Sequence, residues 1–178
     1  MTGSRSSRRR DSGWACPWRK GLVVLLLAGA LLSGSGTGFD EPERTLAEPE
    51  AASLEEITLI AEALAWLGTP YLPGGFSRSG ADCSGFISSL LQSAFPDGGP
   101  FPRRSEDYGT FGTEAKSIEP GDILLFARDG LIYHVGLALS DSNFIHSASE
   151  GARTGVIITG LGEGSWASRL FGIRRLGQ

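Results

Sequence analysis

Sulfur and imidazole are scarce in this chain, which has two cysteines, one methionine and two histidines among 178 residues. No close-spaced pair of Cys or His ligands is present. A zinc site built from Cys83, His134 and His146, three ligands with an open position, therefore has little support, and neither a metal nor a cofactor is expected. Positive charge is also scarce beyond the first twenty residues. Residues 1–20 carry six Arg or Lys against Asp11, and the remainder holds ten basic and nineteen acidic residues. So acidic a body excludes a nucleic-acid partner, because phosphate binding needs a positive surface. The apolar run 21–32 is shorter than the roughly 20 residues that span a bilayer comfortably. No internal repeat is present.

What is there begins with the leader. Arg5, Arg8, Arg9, Arg10, Arg19 and Lys20 precede the apolar run, and small residues from Ser33 to Gly38 follow it. A basic start, an apolar stretch of about 7–15 residues and a small-residue exit form the layout of a secretory signal. Residues 1–38 are thus expected to direct export to the periplasm, cell envelope or exterior. The alternative is an uncleaved membrane tether through residues 21–32. No Cys follows the run, so a lipid-modified start is not supported. Cleavage would discard Cys16 and leave Cys83 with no disulfide partner in an oxidising compartment. A lone thiol there is either a reactive group or a small buried hydrophobe.

Residues 39–52 are acidic, contain two prolines and read as a solvated linker. A domain spanning 53–178 follows. Ser53 with Glu56 three residues on forms a capping box. Leu54, Ile57, Ile60, Ala61, Leu64 and Leu67 recur at helical spacing until Gly68 and Pro70 stop the helix. Residues 69–81 form a Gly- and Ser-rich loop. A second helix starts at Asp82–Cys83 with Phe86, Ile87, Leu90, Leu91 and Ala94 as one stripe, and Pro96 to Pro102 breaks the chain again. Short strands follow at about 122–127, 133–139, 143–148, 155–160 and 171–176, separated by turns such as Asp129-Gly130 and Ser140-Asp141-Ser142. Helices first and antiparallel strands after predict an α+β fold.

If Asp82 caps the second helix, Cys83 lies in its first turn, where unpaired N–H groups and the helix dipole stabilise an anion. A nucleophilic thiol needs that environment, because the thiolate is the reacting species. Both histidines fall on predicted strands. Alternation puts His134 on one face with Gly136 and Ala138, a surface small enough for the helix carrying Cys83 to approach. A three-residue loop at 139–141 would set His134 directly across from His146, whereas an even-length loop would put them on opposite faces. In the first arrangement one imidazole accepts the thiol proton and later gives it to the leaving amine, while the other orients it. Taken singly, each His is as well explained as a satisfied structural residue.

Six segments in order also resemble the NlpC/P60 cysteine peptidases. They are Gly68 to Gly75, Asp82 to Phe86, Phe101 to Ser105, Pro120 to Phe126, His134 to Leu137 and Phe144 to Ser147. The resemblance runs from about Ile57 to Leu176. It implies a reduced papain-like fold, with N-terminal helices packed on an antiparallel β-sheet. It implies Cys83 as nucleophile, His134 as general base, His146 as the polar residue orienting it, and Tyr71 as an oxyanion donor beside the Cys83 N–H. Asp82, Ser84 and Ser105 match positions that line the substrate subsite. Read alone, Asp82 is an N-cap, Tyr71 a loop anchor, and Ser84 and Ser105 plain helix-start or turn residues. The implied substrate is a peptidoglycan stem peptide, cut between γ-D-glutamate and a diamino acid, and a monomer is the expected state. Two departures bear on substrate preference: Pro73 replaces an aromatic before the Gly pair, and Glu106 and Asp107 follow the Arg-Ser segment where glutamine is usual. The alternatives are an amidase or acyltransferase on the same fold, or a wall-binding protein without turnover.

Overall fold

The computed structural model describes residues 53–177, so the basic leader, the apolar run and the acidic linker lie outside the described residues. In chain order the elements are α1 (Leu54–Leu64), β1 (Phe76–Ser77), β2 (Gly80–Ala81) and α2 (Cys83–Ala94), then a 3-10 helix (Ser105–Thr110). There follow β3 (Thr113–Glu114), β4 (Ile123–Arg128), β5 (Leu131–Ala138), β6 (Asn143–Ala148), β7 (Gly155–Gly160), α3 (Trp166–Arg169) and β8 (Leu170–Arg175). Strands β3-β8-β4-β5-β6-β7 form one antiparallel sheet in that order. This is the α+β arrangement that the pattern predicts. Among the described residues no helix is long and apolar enough to cross a membrane.

Helix α1 starts as its capping signal requires, with the Glu56 N–H donating to Ser53 Oγ at 3.1 Å. Its buried face is not the predicted one. Leu59, Ala63 and Trp66 are buried, whereas Leu54, Ile57, Leu64 and Leu67 are exposed. The helix carries two apolar stripes separated by Glu55, Glu56, Thr58 and Glu62, so spacing alone cannot choose between them. Trp66 decides, because its large ring packs edge-on against Phe86 with centroids 5.6 Å apart. Helix α2 buries the expected stripe of Phe86, Ile87, Leu90 and Leu91 completely. At about 1.5–3 kcal/mol for each large apolar side chain, that stripe is enough to hold the helix on its neighbours.

The sheet separates two apolar layers. Ile123, Leu125, Val135, Leu137 and Ile145 pack with α1 and α2 on one side. Leu124, Phe126, Ala138 and Phe144 pack with Leu161, Ile173 and Trp166 on the other. Gly136 belongs by alternation to the second side, so aromatic rings and not α2 approach the small-residue face. A Cβ at Gly136 would lie 2.7 Å from Phe144 Cδ2 and 3.3 Å from His146 Cβ.

Two local irregularities set the site. The β4–β5 turn places Asp129 at φ 52° and Gly130 at φ 78°, the positive dihedrals that a two-residue hairpin wants. A bulge follows it: Phe126 pairs with His134 but Ala127 pairs with Ile132, leaving Tyr133 as the extra residue. At the other end, Leu137 pairs with Ile145 and Ala138 with Phe144. The Leu139 N–H donates to the Asn143 carbonyl at 2.8 Å. The loop is therefore Ser140-Asp141-Ser142, of odd length and one position later than the 139–141 loop that would set the histidines directly across. Parity is kept, so both histidines share a face, but they are diagonal neighbours and not directly opposed.

Candidate active site

Asp82 accepts the Gly85 N–H on Oδ1 at 2.7 Å, which makes Cys83 the first residue of α2. The free N–H groups and positive dipole end of the helix therefore surround the lone described thiol. Gly85 is required here for space. A Cβ would come within 2.0 Å of the Gly75 carbonyl oxygen, which the loop ahead of the helix presses against this turn. Sγ of Cys83 lies 3.4 Å from Oγ of Ser105, the first residue of the 3-10 helix.

The capping carboxylate has more than one task. Arg103 grips Asp82 with both ends of its guanidinium, Nη1 to Oδ1 at 2.8 Å and Nη2 to Oδ2 at 3.0 Å. The Gly74 N–H donates to Oδ2 at 2.8 Å. Burial pushes the Asp82 carboxyl upward, but Arg103 and the Gly85 and Gly74 N–H groups outweigh it and hold the carboxyl below its ordinary value. Arg103 also donates to the Gly75 carbonyl at 3.0 Å, and Ser84 Oγ donates to the Arg103 carbonyl at 2.8 Å. Asp82 and Ser84 are thus committed to this lock, and Ser105 is the predicted subsite residue that touches the thiol. Sequence reasoning missed Arg103. Arg104, its neighbour, meets only Glu106 in a salt bridge at the surface, and nothing in an Arg-Arg pair says which one turns inward.

Tyr71 bridges to Ala81, two residues before the thiol. Burial raises its phenol pKa, the negative charges of Cys83 and Asp82 raise it further, and a hydrogen bond with Ser149 acts the other way. Its hydroxyl is accordingly a donor at neutral pH.

On the sheet, His134 Nε2 lies 2.8 Å from His146 Nδ1, and His146 Nε2 lies 2.9 Å from Thr159 Oγ1. All three side chains are buried. Burial, and secondarily the neighbouring His146, pushes His134 well below the ordinary imidazole range. Burial lowers His146 to about 4. Both rings are neutral at pH 7, with one N–H each. If His134 donates from Nε2, its Nδ1 keeps a free lone pair, His146 receives on Nδ1, and Thr159 receives the His146 Nε2–H. That is the tautomer a general base requires. Phe144 stacks on His146 at 4.6 Å between centroids, and Trp166 lies 5.2 Å and 5.0 Å from the two imidazoles. Thr159 and Trp166 were also missed. Thr159 did leave a signal, as a polar residue in an otherwise apolar strand.

The predicted residues thus form two groups: Tyr71, Asp82, Cys83, Ser84 and Ser105 around the start of α2, and His134 with His146 on β5 and β6. Helix α2 packs against both of those strands. Ser147, next to His146, donates to the Ala81 carbonyl at 2.7 Å, tying β6 to the approach of Cys83. Among the described residues no hydrogen bond joins the thiol to an imidazole. Among the described residues no cluster of three His, Cys, Asp or Glu side chains is placed to hold a metal ion, and both nitrogens of His146 are engaged.

Comparison with known proteins gives the arrangement a lineage. Residues 68–175 match the NlpC/P60 family. The chain is 30% identical over 163 residues to the probable endopeptidase NlpC of Escherichia coli K12, covering 86% of this chain and 97% of that protein. It is 34% identical over 122 residues to the gamma-D-glutamyl-L-lysine dipeptidyl-peptidase of Bacillus subtilis, covering 66% of this chain and 40% of that protein. The solved NlpC/p60 domain of the peptidoglycan hydrolase SagA superposes with a TM-score of 0.55 at 25% identity, covering 68% of this chain and 98% of that one. With the family match spanning more than half its length, this chain belongs to the NlpC/P60 family.

Proposed function

We propose that the chain is an exported cysteine peptidase that hydrolyses peptidoglycan stem peptides, with the bond between γ-D-glutamate and a diamino acid as its target. The observation that supports the mechanism is a neutral imidazole pair joined at 2.8 Å on the two strands against which the helix beginning at Cys83 packs. The rings lie on the face turned away from that helix, so the thiol has to meet them around the strand ends. The relatives' peptidase and hydrolase names support the substrate class.

In this reading His134 Nδ1 takes the thiol proton and Sγ attacks the scissile carbonyl. The resulting oxyanion is held by the Cys83 N–H and the Tyr71 hydroxyl. Preorganised donors of this kind commonly contribute about 3–4 kcal/mol each to the transition state. Collapse breaks the C–N bond, His134 returns its proton to the leaving amine, and water then cleaves the thioester with His134 again as base. His146 holds the ring of His134. Ser105 Oγ lies 3.4 Å from the sulfur.

The test is digestion of purified peptidoglycan with the full chain and with Cys83→Ala and His134→Ala, reading products by mass spectrometry. New stem-peptide fragments from the unmodified chain alone support the assignment and identify the bond. Identical fragments from Cys83→Ala would overturn it.

A further inference from the structure

Both imidazoles are buried, but the rings that cover them are not equivalent. Phe126, 5.9 Å from His134 between centroids, and Phe144, 4.6 Å from His146, are themselves completely buried on β4 and β6. They belong to the inside of the layer. Trp166 does not. It comes from the short α3 and not from the sheet, it is partly exposed, and it touches both imidazoles, at 5.2 Å and 5.0 Å. Every other residue from 162 to 168 is exposed, so Trp166 is the one side chain that this stretch sends inward. The chain is tied down at both ends to deliver it. The Ala167 N–H donates to the Leu161 carbonyl at 3.0 Å, and the Glu163 carboxylate accepts the Gly160 N–H at 2.8 Å. Arg169 Nη1 donates to the Tyr133 hydroxyl at 3.3 Å.

Among the described residues no carboxylate comes within salt-bridge distance of either ring. The other titratable or charged groups around the pair are Tyr133, 6.1 Å from His134, and Arg128 and Arg169, which both bear on Tyr133. Burial, more than any charged neighbour, is what keeps both rings neutral. Whatever excludes water therefore governs their chemistry. We infer that Trp166 is a positioning residue: its indole is the outer wall of the imidazole pair, keeping water off the rings so that His134 stays neutral and bonded to His146. A hydrated imidazole holds a proton more readily than a dry one, and a protonated His134 has no lone pair for the thiol proton. Water would also compete for the hydrogen bond that decides which His134 nitrogen is free. The inference rests on the proposed role of His134 as base, but the wall is measurable without turnover.

The whole chain has only two histidines, so NMR of the isotope-labelled full chain follows both imidazoles through a pH titration. In Trp166→Ala both should titrate at higher pH than in the unmodified chain, by about one pH unit or more. Trp166→Phe keeps part of the wall and should show a smaller rise in the same direction. It decides the matter if the alanine variant does not fold. Ile173→Ala empties the same apolar layer from β8 and should lower stability without moving the imidazoles. The acid limb of the kcat/KM profile should rise with the imidazoles in the tryptophan variants and stay in place in Ile173→Ala. Imidazoles that titrate alike in the unmodified chain and in a folded Trp166 variant overturn the wall. So does an equal rise in Ile173→Ala, because loosening of the layer and not loss of the indole would then be the cause. A titration that moves as expected in a chain that cuts no peptidoglycan supports the wall and counts only against the hydrolysis.

Discussion

Nε2 of His134 reaches Nδ1 of His146 at 2.8 Å although the two residues are not directly opposed in the β5–β6 ladder. Continuing the register beyond its last pair puts Gly136 across from His146, and the glycine leaves the space through which the imidazoles meet diagonally. Filling that space is therefore the most direct test of the pair. In Gly136→Ala the new methyl would lie 2.7 Å from the Phe144 ring. Overpacking of this kind costs about 1–3 kcal/mol. Urea unfolding should show that loss, and activity should fall further than stability because Phe144 carries the His146 ring.

Thr159 is expected to act through His146. When His134 is charged, its Nε2–H must donate to His146 Nδ1, which forces the His146 proton onto Nε2 and makes Thr159 Oγ1 its acceptor. Thr159→Val leaves that buried N–H unpaired, costing about 1–3 kcal/mol, or roughly 5- to 150-fold in kcat. Thr159→Ser should restore most of the rate. The acid limb of the pH–rate profile should move in the valine variant, a shift that a purely structural role would not produce.

Stability itself should depend on pH through the imidazoles. Both rings have folded pKa values below the ordinary 6.5, so the unfolded chain binds more protons once the pH falls below that value. Stability contributed by neutral burial is complete above about pH 6.5 and is lost as pH drops toward 4, by up to about 1.4 kcal/mol per pH unit for each ring. Denaturant titrations at pH 7, 6 and 5 should show this decline, and His146→Gln should flatten it. The Asp82 carboxyl, held below its usual value of 3.8, adds a separate loss only at more acid pH.

Arg103 should prove structurally indispensable to the nucleophile turn. Arg103→Leu would strip the Asp82 carboxylate of two charged donors in a site where that side chain is 17% exposed, at a cost of about 1–3 kcal/mol. Lysine cannot reproduce the two-pronged grip. Thermal unfolding of the leucine and lysine variants, together with the alkylation rate of Cys83 by iodoacetamide, would show whether the turn and its thiol loosen together.

Much of this was legible in the chain. The five longer strands were placed within about two residues, because each is a short, largely apolar run bounded by turn residues such as Asp129-Gly130 and Ser140-Asp141-Ser142. The cap at Asp82 followed from one Asp before one apolar stripe. Other features were not legible, for physical reasons. Helix α1 offers two apolar stripes, and only the tertiary fit of Trp66 on Phe86 chooses between them. Helix α3 is four residues long, too short to show a period. The bulge at Tyr133 is set by pairing with β4 and leaves no local mark. Arg103 and Thr159 act through partners far away in sequence, Asp82 at 21 residues and His146 at 13, and a single sequence carries no record of such meetings.

The sheet stands between two packed layers, the nucleophile's helix on one and the imidazoles' aromatic bed on the other. A chain in which β6 settled one residue out of step against β5 would still form a sheet and two layers. Its His146, however, would turn toward Leu90 and Leu91, away from His134 on β5, and Ile145 would take its place beside Trp166. Such a molecule would pass for native in size and secondary structure while doing no chemistry. For this protein, then, total yield of soluble material and yield of working enzyme are separate quantities, and active-site titration of the thiol is what tells them apart.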